Sequence, residues 1–408
     1  MARPPALDCA VVGAGPAGLA MSAALAVRGV DHVVLEKGRP GETWRSQRWQ
    51  SFRLNTPGWM NQLLGEQPHH AFAAGSEVVT RLEAQAAEHP VRLGVPVTKL
   101  APSSNGFTVQ TSDEVLHTRT IVVATGDQNV PRVPPLAQGL PDWLAQQHTA
   151  DYRGPDSLPP GGVLVVGSAQ SGCQITEDLL SGGRQVFLAT SPAGRMPWRN
   201  RGRDTLEWLM DAGFWDQRPQ DLPDPSMIKA AQPIVAAGGR SLSLQSLARS
   251  GATLVGRPLT VTDATLAFDD SVNANITAGD AFAARLRTMM DEHIRQRGLD
   301  APPAEPDDTE VAVDLHPPTA LSLREQDITS MVWCTGFTGD FSWLSPELRD
   351  AAGLPRHDGA SGPMPGLWYV GLRWLTRRRS GILFGFPYDA EAIADAVKAR
   401  LDGVGKSG

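Results

Sequence analysis

Cysteine is almost missing from this chain: 408 residues contain three, Cys9, Cys173 and Cys334. No two of them stand at C-x-x-C or metal-ligand spacing, and an odd number fits no disulfide framework. A dithiol redox centre and a zinc site are therefore excluded, no metal is expected, and the thiols are read as small buried packing groups in a reducing compartment. Positive charge is also short. The formal net charge is -7, which gives no bulk attraction to nucleic acid or anionic lipid and leaves small molecules as the expected partners. No apolar run approaches the roughly 18 residues that span a bilayer. The opening MARPPALDCAVVGAG leads into a strand without a signal-peptide pattern, so a cytoplasmic location is expected. Oligomeric state is not legible, and a homodimer stays open.

What is present is ordinary globular composition, 41% hydrophobic and 20% charged, in a chain longer than one core normally supports. Leu7 to Val12 reads as a buried strand, Ala17 to Val27 as a helix and Val33 to Leu35 as a second strand. A helix at Gly75 to Glu88 follows, then a meander through Val91 to Lys99, Gly106 to Thr111 and Val115 to His117, and a buried strand Ile121 to Ala124. The same strand–turn–helix–strand order restarts at Val163 and ends near Thr190. Residues 203–300 read as mostly helical, 301–308 as a solvated linker, and Met331 to Cys334 and Leu367 to Gly371 as late strands before a final helix at Ala390 to Leu401.

The repeat predicts an α/β chain with two Rossmann-like dinucleotide-binding domains, the second inserted into the first. The expected division is 1–155 and 321–408 for the first domain and 156–320 for the second, with a helical excursion at about 203–300.

Two glycine-rich turns carry the chemistry. In Gly13-Ala14-Gly15-Pro16-Ala17-Gly18, the first glycine permits the tight turn, the second lets backbone approach a pyrophosphate, and the third lets helix pack on strand. The helix N-terminus faces the anion, and Glu36 closes the next strand, where a carboxylate can accept ribose hydroxyls. The second turn, Gly167-Ser168-Ala169-Gln170-Ser171-Gly172, carries alanine at the middle glycine. Thr190 stands where an acid is expected, and Arg195, Arg199, Arg201 and Arg203 follow. Loss of the acid beside a basic stretch favours NADPH over NADH, with Arg195 toward the 2′-phosphate; the alternative is that these arginines form a solvated surface.

The ordered set GAGPAG with Glu36-Lys37, GETW at 41–44, RLNTP at 53–57, ATG at 124–126, GSAQSG, CTGF at 334–337 and GLRWLTRRRSGILFG near the C-terminus resembles the class B flavin-dependent monooxygenases. The resemblance runs through essentially the whole chain. It implies FAD held by Gly13, Gly15, Pro16, Ala17, Gly18, Glu36, Lys37, Thr43, Trp44, Arg45, Leu54, Asn55, Val97, Ala124, Thr125 and Gly126. It implies NADPH held by Gly167, Ser168, Gln170, Ser171, Gly172 and Arg195, with Thr335 and Gly336 beside the cofactors. Asn55 would be the catalytic amide near the reactive flavin carbon; its local alternative is an Asx-type turn before Pro57.

The implied activity is reduction of FAD by NADPH, a C4a-(hydro)peroxyflavin formed with O₂, and transfer of one oxygen atom to a small organic substrate. The family's interdomain signature is half present. His148 and Tyr152 have the right separation, but Asp142 and Leu144 stand at the Phe and Gly positions. Tyr152 leans toward N- or S-oxygenation over Baeyer–Villiger insertion, and His148 equally suits interdomain packing. Trp374, Phe384 and Phe386 are candidate pocket walls or core. The alternatives are a disulfide reductase, which the cysteines oppose, and an FAD-binding carrier or interaction subunit whose Ala169 has removed NADPH use.

Overall fold

The computed structural model describes residues 7–61, 71–235 and 238–404. At its centre Leu7–Val12 runs parallel to His32–Glu36 on one side and to Val115–Val123 on the other, with Val11 opposite both Val34 and Val122. Cys9, Ala10 and Val11 are fully buried, as expected of a parallel strand covered on both faces. One cover is the helix Pro16–Val27 with the C-terminal helix Phe386–Val404, joined through Leu19, Leu25, Ile393 and Val397. The opposite face meets Phe107, Leu344, Leu348 and Tyr369.

Val115–Val123 is one continuous strand, not the two segments expected. Its first half pairs antiparallel with Gly106–Thr111, and its second half takes Leu367–Tyr369 as a parallel neighbour. The polar residues that interrupt the apolar pattern have partners. Thr118 and Thr120 donate to the carbonyls of Leu7 and Asp8, and Arg119 pairs with the Asp8 carboxylate at 2.8 Å. Leu367–Tyr369 thus brings the end of the chain back to the first sheet.

The second sheet runs in the order Thr253–Val255, Val186–Ala189, Gly162–Val166, Ile328–Trp333, Ala145–His148, all parallel. The expected division at 155/156 and 320/321 is corrected here. Ala145–His148 and Ile328–Trp333 both belong to the second sheet, with Trp333 registered between Val166 and His148. An apolar run buried on both faces does not reveal which sheet receives it. The edge strand Ala-Gln-Gln-His buries only His148, so it lacked a hydrophobic signal altogether.

The excursion carries Thr205–Asp211, Leu244–Arg249 and a 26-residue helix, Val272–Arg297. The segment 301–308, read as solvated, ends in a buried ionic cluster. Arg195 is 2% exposed; its Nε donates to Asp280 at 2.7 Å, Nη1 to Asp307 at 2.7 Å and to Thr309, and Nη2 to Glu310. Arg287 adds bonds to Asp307 and Glu310 at 3.1 and 2.6 Å. Burial pushes the Asp307 carboxyl up, but the Thr309 hydroxyl and the Arg195 guanidinium outweigh it and leave its pKa below the ordinary value. Arg195 is therefore a structural clasp between the long helix and the 307–310 turn. This arrangement opposes the phosphate role the basic stretch suggested, because the Arg195 donors go to three carboxylates and the Thr309 hydroxyl.

Removing one partner of such a cluster leaves uncompensated buried charge, so Arg195→Ala is expected to lower the unfolding free energy at pH 7 by about 3 kcal/mol. A depressed carboxyl pKa contributes stability above its unfolded value and loses it as pH falls through the folded one. The gap between wild type and variant in urea unfolding should therefore narrow below about pH 4. A gap that widens in acid would contradict this account.

Candidate functional site

At the first turn the backbone leaves Val12 and reverses at Gly13, whose φ is +108°. A Cβ at Gly13 would stand 2.7 Å from the Ala124 carbonyl oxygen, and one at Gly18 would stand 1.8 Å from the Gly13 oxygen. Helix and strand are in direct backbone contact, so a side chain cannot be admitted at either position. Gly15 differs: a Cβ there would meet nothing within 4 Å. It caps the helix Pro16–Val27 without any side-chain hydrogen bond, which leaves the N-terminal N–H groups and the positive end of the dipole facing open space.

Glu36 is buried at the rim of this cradle. Its Oε2 accepts from the Ala14 N–H at 2.7 Å and its Oε1 from Gly38 at 2.8 Å, leaving a lone pair on each oxygen for a ligand. Several buried polar atoms nearby have no partner: Thr125 Oγ1, Asp127 Oδ1, Asn129 Oδ1, Gln47 Oε1 and Arg45 Nε. The Gly41 N–H on the Ala14 oxygen at 3.2 Å and the Gln47 amide on the Asn129 oxygen at 3.3 Å draw these segments to one rim. Orphaned polar atoms concentrated at one rim are what a bound polar group would satisfy. The residues present fit a dinucleotide.

Thr43, Trp44 and Arg45 lie on the short helix Glu42–Ser46 above that rim, where Arg45 pairs with Glu83 at 2.5 Å. Lys37 is exposed, Ala124 buried and Val97 half-buried. Leu54 is buried and donates its N–H to the Ala73 oxygen at 2.9 Å. The expected alternative for Asn55, an Asx turn, is not formed. Asn61 holds that turn instead, donating to the Thr56 and Pro57 oxygens at 3.0 and 3.1 Å, and the Asn55 side chain has no hydrogen-bond partner among the described residues.

Sequence reasoning missed Arg48. It lies over Trp44 and Phe52 at 5.1 and 5.4 Å with no carboxylate beside it among the described residues, and desolvation pushes its pKa down to about 10. A motif search passes over an arginine whose only signal is burial.

The second turn repeats the first. Gly167 has φ +104°, a Cβ there would be 2.6 Å from the Cys334 oxygen, and one at Gly172 would be 1.7 Å from the Gly167 oxygen. Ala169 takes φ -77°, ψ -166°, beside -75°, -179° at Gly15. Its methyl group therefore imposes no change of backbone path. Ser168 and Gln170 are engaged within the protein: the serine hydroxyl accepts from Ser191 N–H at 2.9 Å, and the Gln170 amide pairs with both backbone groups of Val235. Ser171 is half-buried at the helix start. Thr190 is buried, donating to the Val255 oxygen and accepting from Asn275, each at 3.0 Å.

The Thr335 hydroxyl donates to the Arg132 carbonyl, and the Gly336 oxygen accepts from His148 Nε2 at 3.0 Å. Because His148 Nδ1 accepts from Ala150 N–H, both ring nitrogens are occupied and the tautomer is set. Desolvation lowers the pKa of His148. Tyr152 is fully buried in the second-domain core, its hydroxyl donating to Asp178 at 2.7 Å. Trp49 from the first domain enters the same core, and Ser51 donates to the other Asp178 oxygen at 2.5 Å. His148 and Tyr152 thus join elements together and have no free polar group to offer a ligand.

Of the candidate walls, Phe386 packs in the first-domain core, and Phe384 meets Trp215 at 5.4 Å in a Met- and Trp-rich cluster that includes Met60. Trp374 is half-buried. An open depression of about 580 Å³ lies at Gly161, Arg184 and Asp327, the N-terminal end of the second sheet. Ligands of such sheets bind at the opposite, carboxyl end. The three thiols are free and buried, and desolvation raises Cys9 and Cys334 to about 12. No helix among the described residues is long and apolar enough to cross a membrane.

Residues 10–210 match the pyridine nucleotide-disulphide oxidoreductase family model. An uncharacterized CzcO-like oxidoreductase of Geobacillus kaustophilus is 27% identical over 96% of this chain and 98% of its own. Rice indole-3-pyruvate monooxygenase YUCCA1 is 30% identical over 56% of this chain and 59% of its own. The flavin-containing monooxygenase of Stenotrophomonas maltophilia has the same fold, with a TM-score of 0.66 at 18% identity over 97% of this chain and 98% of that one. With two backbone-tight cradles, no accessible dithiol among its cysteines, and these likenesses along its length, the chain is similar to flavin-dependent monooxygenases and shares their fold.

Proposed function

We propose that the first cradle binds FAD, the second binds NADPH, and the chain transfers one oxygen atom from O₂ to a small organic substrate. The observation that carries this reading is the duplicated turn. Each cradle presents a bare helix N-terminus over a turn closed by backbone contact, and the first is ringed by orphaned polar atoms. Bound flavin supplies hydride acceptance and oxygen activation.

The chain's own residues supply placement. The N–H groups at the start of Pro16–Val27 face the pyrophosphate, Glu36 takes ribose hydroxyls, and Thr125 Oγ1 gains a partner at the strand end. Asn55 contributes an uncommitted amide on the substrate side, and the Met- and Trp-rich cluster keeps water out. The backbone at Ala169 supports NADPH use over a carrier role, since it follows the path of Gly15. The destination of labelled oxygen, an amine or thioether oxide against a ketone-derived ester, decides between heteroatom transfer and carbonyl insertion. Tyr152, committed to Asp178, carries no weight in that choice.

Anaerobic mixing of the flavin-loaded protein with NADPH should bleach the flavin. In air, ¹⁸O₂ should label the oxide of an accepted amine or thioether; bleaching without label transfer to any amine, thioether or ketone would refute oxygenation. Gly15→Ala should leave thermal stability unchanged, since its Cβ meets no protein atom, but weaken FAD binding about tenfold by crowding the pyrophosphate. Ala169→Gly should leave FAD binding untouched and tighten NADPH. FAD affinity unaffected by Gly15→Ala would place the flavin elsewhere.

A further inference from the structure

The C-terminal loop 371–385 lies against the first cradle. A Cβ at Gly371 would be 2.8 Å from that of Ala17, and Arg373 pairs with Asp127 at 3.3 Å. From there the loop docks onto residues 214–217 of the excursion, with the Arg378 N–H on the Gln217 oxygen at 2.8 Å and the Arg379 N–H on that of Trp215 at 3.2 Å. Four arginines sit in this loop. Arg373 and Arg379 have carboxylate partners, Asp127 and Asp216, and Arg377 donates to the Asp216 backbone oxygen at 2.7 Å.

Arg378 has no carboxylate among the described residues. Its Nε and Nη2 both donate to the single neutral oxygen Gln217 Oε1, at 3.0 and 2.8 Å. The Phe214 and Trp374 rings flank the guanidinium at 4.1 and 4.5 Å, and desolvation lowers its pKa to about 10. Aromatic faces attract a cation but do not replace a counter-charge, and a desolvated cation without one is costly to keep.

A second, independent observation points the same way. Trp215, in edge contact with Phe214 at 5.0 Å, is 8% exposed, yet its indole N–H has no partner. Trp59 Nε1 and Arg379 Nε are likewise buried and unpartnered. Trp59 packs on the cluster that also holds Met60, Phe214 and Trp215, beyond the turn that begins at Asn55. The unsatisfied groups along this seam are donors. The exceptions are Asp127 Oδ1, beside Arg373 at the start of the loop, and Asp389 Oδ2 behind it; the other oxygen of Asp389 accepts from Thr376 at 2.6 Å and holds the loop in place. Trp374 is itself held at φ +56°, a left-handed conformation that a bulky residue adopts only where its surroundings enforce it.

We propose that Arg378 is the anion-recognising residue of the substrate site and that the chain acts on an organic carboxylate. The guanidinium takes the carboxylate between Phe214 and Trp374, and the apolar remainder lies against Trp59, Met60 and Trp215, toward Asn55. A planar fork with unused N–H groups is suited to a carboxylate. This inference rests on the monooxygenase reading and narrows it to a substrate class.

The test is calorimetric titration of the flavin-loaded protein with 3-(phenylthio)propanoate and with its methyl ester, which share one apolar body. Wild type should bind the acid about tenfold or more tightly than the ester. R378Q should erase that preference while keeping ester affinity and flavin absorbance, and R378K should retain part of it. Equal affinities in wild type, or equal weakening of acid and ester by R378Q, would overturn the proposal and make Arg378 a domain staple only. If R378Q does not fold, the wild-type acid-to-ester ratio decides alone. Acid preference in a protein whose flavin NADPH does not bleach would support the anion site while refuting the oxygenase reading.

Discussion

Everything at the carboxyl ends of the two sheets depends on backbone touching backbone. The third glycine of each turn sits so close to the first that a single added carbon would overlap its carbonyl oxygen. That contact sets the helix directly behind the strand, aims its uncapped N–H groups outward and keeps side chains out of the approach. The middle position of each turn is free of this constraint. Gly15 faces open space, and Ala169 occupies the same backbone conformation with its methyl group added. The two cradles are therefore alike in path and differ in what they leave for a phosphate to pass.

The seam between the domains is organised by a different principle. Asp178, on the second fingerprint helix, accepts hydrogen bonds from Tyr152 and Ser51, and Trp49 fills the core beside it. His148 ties its edge strand to Gly336. On the other flank, the arginine loop grips residues 214–217. The flank of the first cradle proposed to face the substrate is thus drawn from three stretches distant in sequence, the turn after Asn55, the excursion and the C-terminal loop. Each is fixed by polar contacts that are local and directional.

Much of this was legible in the residues, and the limits have physical causes. The fingerprints, Glu36 and the return of the chain through Leu367–Tyr369 were readable because glycine spacing and buried apolar runs report backbone geometry directly. Sheet membership was not. Ile328–Trp333 is apolar on both faces and suits either sheet, and Ala145–His148 is a polar edge held by backbone bonds. Arg195 misled for a related reason. Spacing after a strand suggests a phosphate ligand, but only folding brings Asp280, Asp307 and Glu310 around it. Arg378 lay within a quoted segment but nothing set it apart from its neighbours, and no motif marked Arg48, since what distinguishes each is the lack of a carboxylate partner among the described residues, a property of the assembled surroundings. Asn55 is the intermediate case: the residues left it open between a cofactor-side amide and an Asx turn, and the turn is held by Asn61 instead.

The central claim is that one chain carries two separate adenine-dinucleotide cradles. Equilibrium dialysis of the flavin-stripped protein against FAD and NADPH, alone and together, addresses it most directly. The account predicts one FAD and one NADPH per chain, neither displacing the other. Uptake of neither, or mutual competition for a single site, would contradict it.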